Sequence, residues 1–167
     1  MYFLTVLGCW VMCQIIHECG HIILLLKYGY KIRGISIGLP IKPFVTIPIK
    51  FDNFNMSLYF SPYLWSSMTI TNMETKPKAS IWTAIVLAGP SACILVLVVI
   101  YLFNGMSGFM YLANSLWQNP GRRLSFWEWF IILNFACGFG ELVPFVSNDG
   151  TRLLQVLRDK YFQKTRI

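Results

Sequence analysis

Two histidines and a glutamate stand within five residues, at His17-Glu18-Cys19-Gly20-His21, and the flanking stretches CWVMCQII and IILLLKYG are apolar. The chain has no other histidine. Residues four apart on a helix share a face, one turn above the other. His17 and His21 can therefore present imidazole nitrogens to a single ion. Zinc is held by histidine at roughly 2.0–2.1 Å, and a catalytic zinc keeps one position open for water. Glu18 lies about 100° around the helix from His17, where a carboxylate can take a proton from a water attacking a carbonyl. HExxH is a short pattern that chance also produces, so its setting matters. Glu18 is one of seven acidic residues and sits inside an apolar run. Insertion scales put the cost of a mid-bilayer Asp, Lys or Arg at roughly 2.5–3.5 kcal/mol, a cost that points to a partner or a use. The bland alternative is a polar cluster that holds helices together.

Two histidines and a water leave zinc one ligand short. The other acidic residues are Asp52, Glu74, Glu128, Glu141, Asp149 and Asp159. Asp52, Glu74 and Asp159 fall in water-facing stretches, and Glu128 falls at the far end of the third apolar segment. Glu141 and Asp149 remain, in NFACGFGELVPFVSNDGTRLL. Gly138, Gly140 and Pro144 loosen a helix there, and irregular backbone at membrane depth is tolerated where it is buried or lines a cavity. An extended segment folding back towards the histidines, with Asp149 as a ligand, suits that string. Asp-Gly ahead of an apolar run is equally a turn or a helix N-cap, and the residues alone leave both readings open.

The elements that must position these groups are written in the composition. Of 167 residues, 56% are hydrophobic and 13% charged, which a soluble domain of this size rarely shows. A helix crosses a bilayer in about 20 apolar residues. Three stretches reach that length: about 2–26, 81–103 and, less regular, 126–145. Between the first two, over 33–71, β-branched and aromatic residues alternate in Ile35, Ile37, Leu39 and Ile41 and again in Val45, Ile47 and Ile49. Prolines interrupt them, so short strands are expected, several of them at edges. The stretch is too apolar for a free loop and is expected to lie against the membrane. The tail, 150–163, sets Leu153, Leu154, Val156 and Leu157 among basic residues, as in an amphipathic helix on an anionic surface. The expected fold is a mainly α membrane protein: a single core of three transmembrane helices, with a small membrane-associated β-sheet between the first and second spans. The five cysteines follow no disulfide-framework spacing and read as small packing residues.

The net charge of +7 raises nucleic acid as a partner, but the basic residues have a plainer use. They concentrate between the first two spans and after the third, with only Arg122 and Arg123 between the second and third. The positive-inside rule then places the N-terminus outside and the C-terminus in the cytosol. His21 is six residues from Lys27, about 9 Å of helix, so the site is expected within the bilayer near the cytosolic face. No nucleic-acid partner is expected; the lipid bilayer is one.

HECGH, LAGPSA at 87–92 and PFVSNDG at 144–150, in that order, resemble the site-2 protease family of intramembrane zinc metalloproteases. The resemblance implies one zinc per chain held by His17, His21 and Asp149, with Glu18 as general base. Gly89, Pro90, Pro144 and Gly150 are then motif residues. It also implies hydrolysis of peptide bonds in or near transmembrane segments of a membrane-protein or membrane-peptide substrate. This chain departs from the family at two places. Glu141 stands where asparagine is common three residues before the motif proline, and Cys93 where asparagine often follows the Gly-Pro pair. Those amides are candidate substrate or oxyanion contacts. A protonated Glu141 can serve in their place, or Asn148 or Asn134 can; Glu141 reads equally well as a residue facing a water-filled entry. Without accessory domains, substrate selection falls to the core, the sheet or a separate regulatory membrane partner. Two rivals follow: a pseudoprotease that binds transmembrane segments without cutting them, and a redox carrier using the histidines for haem, which two histidines on one helix face suit poorly.

Overall fold

A computed structural model describes residues 2–37, 45–51, 54–60, 66–71, 78–119, 121–144 and 148–164. Helix α1 (Tyr2–Lys27) is followed by four strands, β1 (Lys31–Ile37), β2 (Val45–Phe51), β3 (Phe54–Phe60) and β4 (Ser66–Thr71). Helix α2 (Ala79–Gln118) and helix α3 (Phe126–Phe135) come next. Helix α3 runs directly into a π-helical turn, Ala136–Gly140, and helix α4 (Asp149–Lys164) ends the described chain.

Helix α1 stops where its sequence tells it to. Gly29 has a φ of 78°, a conformation that costs a residue without Cβ little. Its N–H bonds to the Leu26 carbonyl at 3.0 Å, and the Tyr30 N–H bonds to Leu25 at 2.9 Å. This is a Schellman closure, with the accompanying apolar contact made where Tyr30 packs with Leu25. The same apolar group holds Ile32 of β1 and Ile85 of α2, so the root of the sheet is fastened to the helices just below the HECGH turn.

The sheet has the order β2-β3-β1-β4. Strands β2 and β3 form an antiparallel hairpin, β1 pairs with β3 in parallel, and β4 runs antiparallel on the other side of β1. Pro48 falls in β2, an outer strand, where a missing N–H costs no ladder bond on the open side.

Helices α1 and α2 meet over small residues. A Cβ on Gly20 would strike the Ala88 carbonyl and come within 2.9 Å of the Ala92 side chain. Above this contact Cys9, Cys13, Cys93 and Cys137 pack with Phe130 in a buried core. Cys19 differs from the other four in being exposed, a correction to the reading of all five as packing residues. Helix α2 bends at Gly105, where φ is 68° and ψ 178°. Helix α3 begins with a capping box: Ser125 accepts from the Glu128 N–H, and Glu128 accepts from the Ser125 N–H. Arg122 pairs with Glu128. Trp129 Nε1 donates to the Tyr2 hydroxyl at 2.9 Å, which ties the start of α1 to α3.

The fold class expected from the sequence is corrected. Two helices among the described residues are long and apolar enough to cross a membrane, Tyr2–Lys27 and Ala79–Gly108. The third apolar helix, Phe126–Gly140, is shorter, and its last five residues are π-helical. Counting apolar residues over 126–145 overlooked that break. A Cβ at Gly138 would lie 3.0 Å from the Ile94 side chain and 3.4 Å from the Pro90 carbonyl, so the chain there is pressed against α2 rather than continuing as a regular span. Strand-rich structure starts at Lys31, and α2 extends 15 residues past the expected end of its span, to Gln118.

Candidate metal centre

The HECGH turn lies in the interior of α1, and its two histidines and its glutamate are buried: His17 and Glu18 are each 5% exposed and His21 8%. Asp149, the first residue of α4, is also 5% exposed. Its Oδ2 lies 3.1 Å from His17 Nε2 and 3.0 Å from His21 Nε2, and the two imidazole nitrogens are 3.1 Å apart. Residues 132 positions apart in sequence thus supply three donor atoms to one point. These are the residues among those described that could hold a metal ion as a group.

The donor set itself tests whether a cation fits. His21 Nδ1 lies 2.7 Å from the Ile85 carbonyl, an acceptor, so this nitrogen carries the proton. In neutral His21 the Nε2 then offers a lone pair, directed at a carboxylate oxygen and a second imidazole. Acceptors that converge so closely need a positive centre between them. Four-coordinate zinc, roughly 2.0–2.1 Å from each ligand, spaces its ligand atoms about 3.3 Å apart. The observed triangle needs to open by only a few tenths of an ångström.

Gly89 explains the Gly-Pro motif. A Cβ there would strike His21 Nε2 and come within 2.6 Å of His17 Nε2. The absence of a side chain keeps the space over both imidazole nitrogens open. Pro90, fully buried, is the next residue of α2. Glu18, next to His17 in the chain, is buried together with both imidazoles.

The chain between the π-helical turn and α4 sets Asp149 in place. Asn148 is its N-cap: Oδ1 accepts from the Thr151 N–H at 3.0 Å, and Nδ2 donates to the Val143 carbonyl at 2.5 Å. The Gly150 N–H bonds to the Glu141 carbonyl at 2.7 Å, an approach that a Cβ on Gly150 would block by striking the Leu142 carbonyl. Pro144 is exposed, and residues 145–147 of the motif lie outside the described residues.

The other candidates fall into different places. Asn134 is fully buried, with Nδ2 donating to the Phe130 carbonyl at 2.8 Å and to Cys13 Sγ at 3.0 Å. It sits in the thiol core, away from any surface a substrate could reach. The side chain of Asn148 is engaged in capping. Cys93 is fully buried in the same thiol core. Glu141 is half-buried at the end of the π-helical turn. Three participants had not been singled out. The Ile85 carbonyl has no side-chain signature. Gly20 is visible as a small residue inside the motif. Arg152, whose guanidinium lies 3.9 Å from Asp149 Oδ1, shows in the sequence only as a basic residue three positions on.

A search of curated proteins gives no match to the chain. The model of peptidase family M50 matches residues 2–119. That stretch includes His17, Glu18, His21, Gly89 and Pro90 and ends before Asp149, so the third donor rests on the geometry just described. With a match over well more than half its length and two helices of membrane-spanning length, the chain is a membrane protein that belongs to peptidase family M50, the site-2 protease family of zinc metalloproteases.

Proposed function

We propose that the protein is an intramembrane zinc endopeptidase that hydrolyses peptide bonds in or near transmembrane segments of membrane-anchored substrates. The observation that carries this reading is the convergence of His17, His21 and Asp149 beneath the open space left by Gly89. His17 Nε2, His21 Nε2 and Asp149 Oδ2 would hold the ion. When bound, zinc supplies Lewis acidity to a water and to the scissile carbonyl. Glu18 takes the proton from the attacking water and returns it to the leaving amine. The Ile85 carbonyl fixes the tautomer of His21.

A transmembrane helix hides its carbonyls, so the substrate must unwind to be cut. The sheet, rooted beside the site, offers outer strands β2 and β4 to which an extended peptide can add by main-chain pairing. The distribution of basic residues supports an N-terminus outside, a cytosolic C-terminus and a site near the cytosolic face. The pseudoprotease alternative drew on Cys93 and Glu141. Cys93 lies in the thiol core and contributes nothing to it.

Cleavage of a model transmembrane substrate by Glu18→Gln tests the reading. The variant is expected to keep its metal and its fold while losing activity by at least about 10²-fold, the lower end for general acid–base catalysis. Cleavage at the wild-type rate would remove Glu18 from the mechanism.

A further inference from the structure

We propose that α4 binds acidic lipid headgroups of the cytosolic leaflet through the face bearing Leu154 and Leu157, and that this contact holds the metal ligand Asp149 in place. The inference rests on the metal-site and orientation readings above. Asp149 is the first residue of the 16-residue helix α4, so whatever orders the helix also sets the carboxylate that faces His17 and His21. A helix of this length is marginal alone in water and draws its stability from packing an amphipathic face. Helix α4 packs on α2, but much of its surface is left over. Between residues 151 and 159 only Val156 is buried, while Arg152, Leu154, Gln155, Leu157, Arg158 and Asp159 are exposed.

At about 100° per residue, Val156, Leu153, Leu157 and Leu154 follow one another around about 160° of the helix. Exposure rises along that arc. Val156 is 8% exposed, Leu153 is half-buried, Leu157 is 49% exposed and Leu154 52%. Packing inside the protein therefore covers one edge of an apolar arc and leaves the other edge open.

Charge and position say what covers the open edge. Helix α4 carries Arg152, Arg158, Lys160 and Lys164 against Asp159, once Asp149 is turned to the histidines. Arg158 follows Leu157 and lies one turn from Leu154, so its stem can run along apolar surface while its charge stays at the polar boundary. Leucines set among basic residues on a surface helix favour insertion at headgroup level and attraction to anionic lipid. The cytosolic leaflet carries a negative surface potential, and the proposed orientation places the C-terminus on that side. In a chain with two helices of membrane-spanning length, that surface is always within reach of α4.

The test uses the full-length protein in vesicles of phosphatidylcholine, with or without phosphatidylglycerol. Cys19 is exposed and the other four cysteines are buried, so a Cys19→Ser background lets Leu157→Cys carry an environment-sensitive fluorophore. Its emission should shift to the blue and be quenched by brominated acyl chains in the anionic vesicles, and much less in the neutral ones. Zinc affinity, read by competition with a chelating dye, should be at least about fivefold tighter in anionic vesicles, the lower end for coupled sites. The double variant Leu154→Ser, Leu157→Ser should lose that difference. It sits in the same vesicles, so accumulation of zinc at a charged surface is common to both proteins. Leu157→Trp keeps the face apolar and should retain the difference. Quenching that is absent, or equal in the two kinds of vesicle, would overturn the proposal. Protection from soluble iodide without quenching by lipid would overturn it too, and assign the face to a second copy or another protein. Lipid contact with zinc affinity unchanged between vesicles would overturn the link to Asp149. A wild type that binds no zinc in either vesicle would defeat the metallopeptidase reading, and the quenching would still decide whether α4 lies on acidic lipid.

Discussion

Gly89 ties the chemistry to a single missing methyl group. Alanine is the better helix former by up to about 1 kcal/mol, so Gly89→Ala should leave α2 at least as helical as before. Its Cβ would occupy the space over both imidazole nitrogens, so zinc content should fall at least about tenfold at a fixed zinc concentration. Circular dichroism and elemental analysis on the same sample check both halves; a variant that keeps its zinc would show that the space over the nitrogens is not the metal's. His17, Glu18 and His21 were legible in the sequence because a four-residue spacing on one helix is a local geometric fact. Asp149 was left between ligand and cap because its partners lie 132 and 128 residues away. In the fold the capping falls to its neighbour Asn148, which frees Asp149 for the histidines. The Ile85 carbonyl could not be read at all, since every residue but its position in space looks alike in its backbone.

Among the elements, α4 and α1 make opposite demands on their neighbours. Helix α4 depends on its cap: Asn148→Ala removes the bonds to Thr151 and Val143 and should cost about 0.5–2 kcal/mol, read as a lower unfolding midpoint. Helix α1 depends on close approach. Gly20→Val would force it away from Ala88 and Ala92, and an overpacked contact costs typically 1–3 kcal/mol. The same denaturation series should therefore place Gly20→Val at or below Asn148→Ala, and wild-type stability in Gly20→Val would show that the two helices do not meet as described. The sequence marked the irregular stretch after α3 through Gly138, Gly140 and Pro144, but not its form. A π-helical turn answers to packing against Pro90 and Ile94, which are far away along the chain. Likewise the alternation in 33–71 signals strands, whereas the parallel pairing of β1 with β3 is a non-local choice that alternation does not encode.

On the scale of the whole molecule, the candidate site joins the first helix to the last. Metal bound to His17, His21 and Asp149 stabilises the folded state by mass action, by roughly 4 kcal/mol when free zinc is about 1,000 times its Kd, so chelation should lower the melting temperature and added zinc restore it. Orientation is testable on the same chain. In a Cys19→Ser background, a membrane-impermeant thiol reagent should label Gly121→Cys in intact cells and leave Ile167→Cys unlabelled until the cells are opened; the reverse pattern would invert the topology. The most direct test of the central claim is the zinc stoichiometry of purified wild type beside His17→Ala, His21→Ala and Asp149→Ala. One zinc per chain is expected in the wild type, and less than about a tenth of that in each variant at equal zinc exposure. Absence of zinc or a comparable ion from active wild-type protein, or full retention in Asp149→Ala, would contradict it.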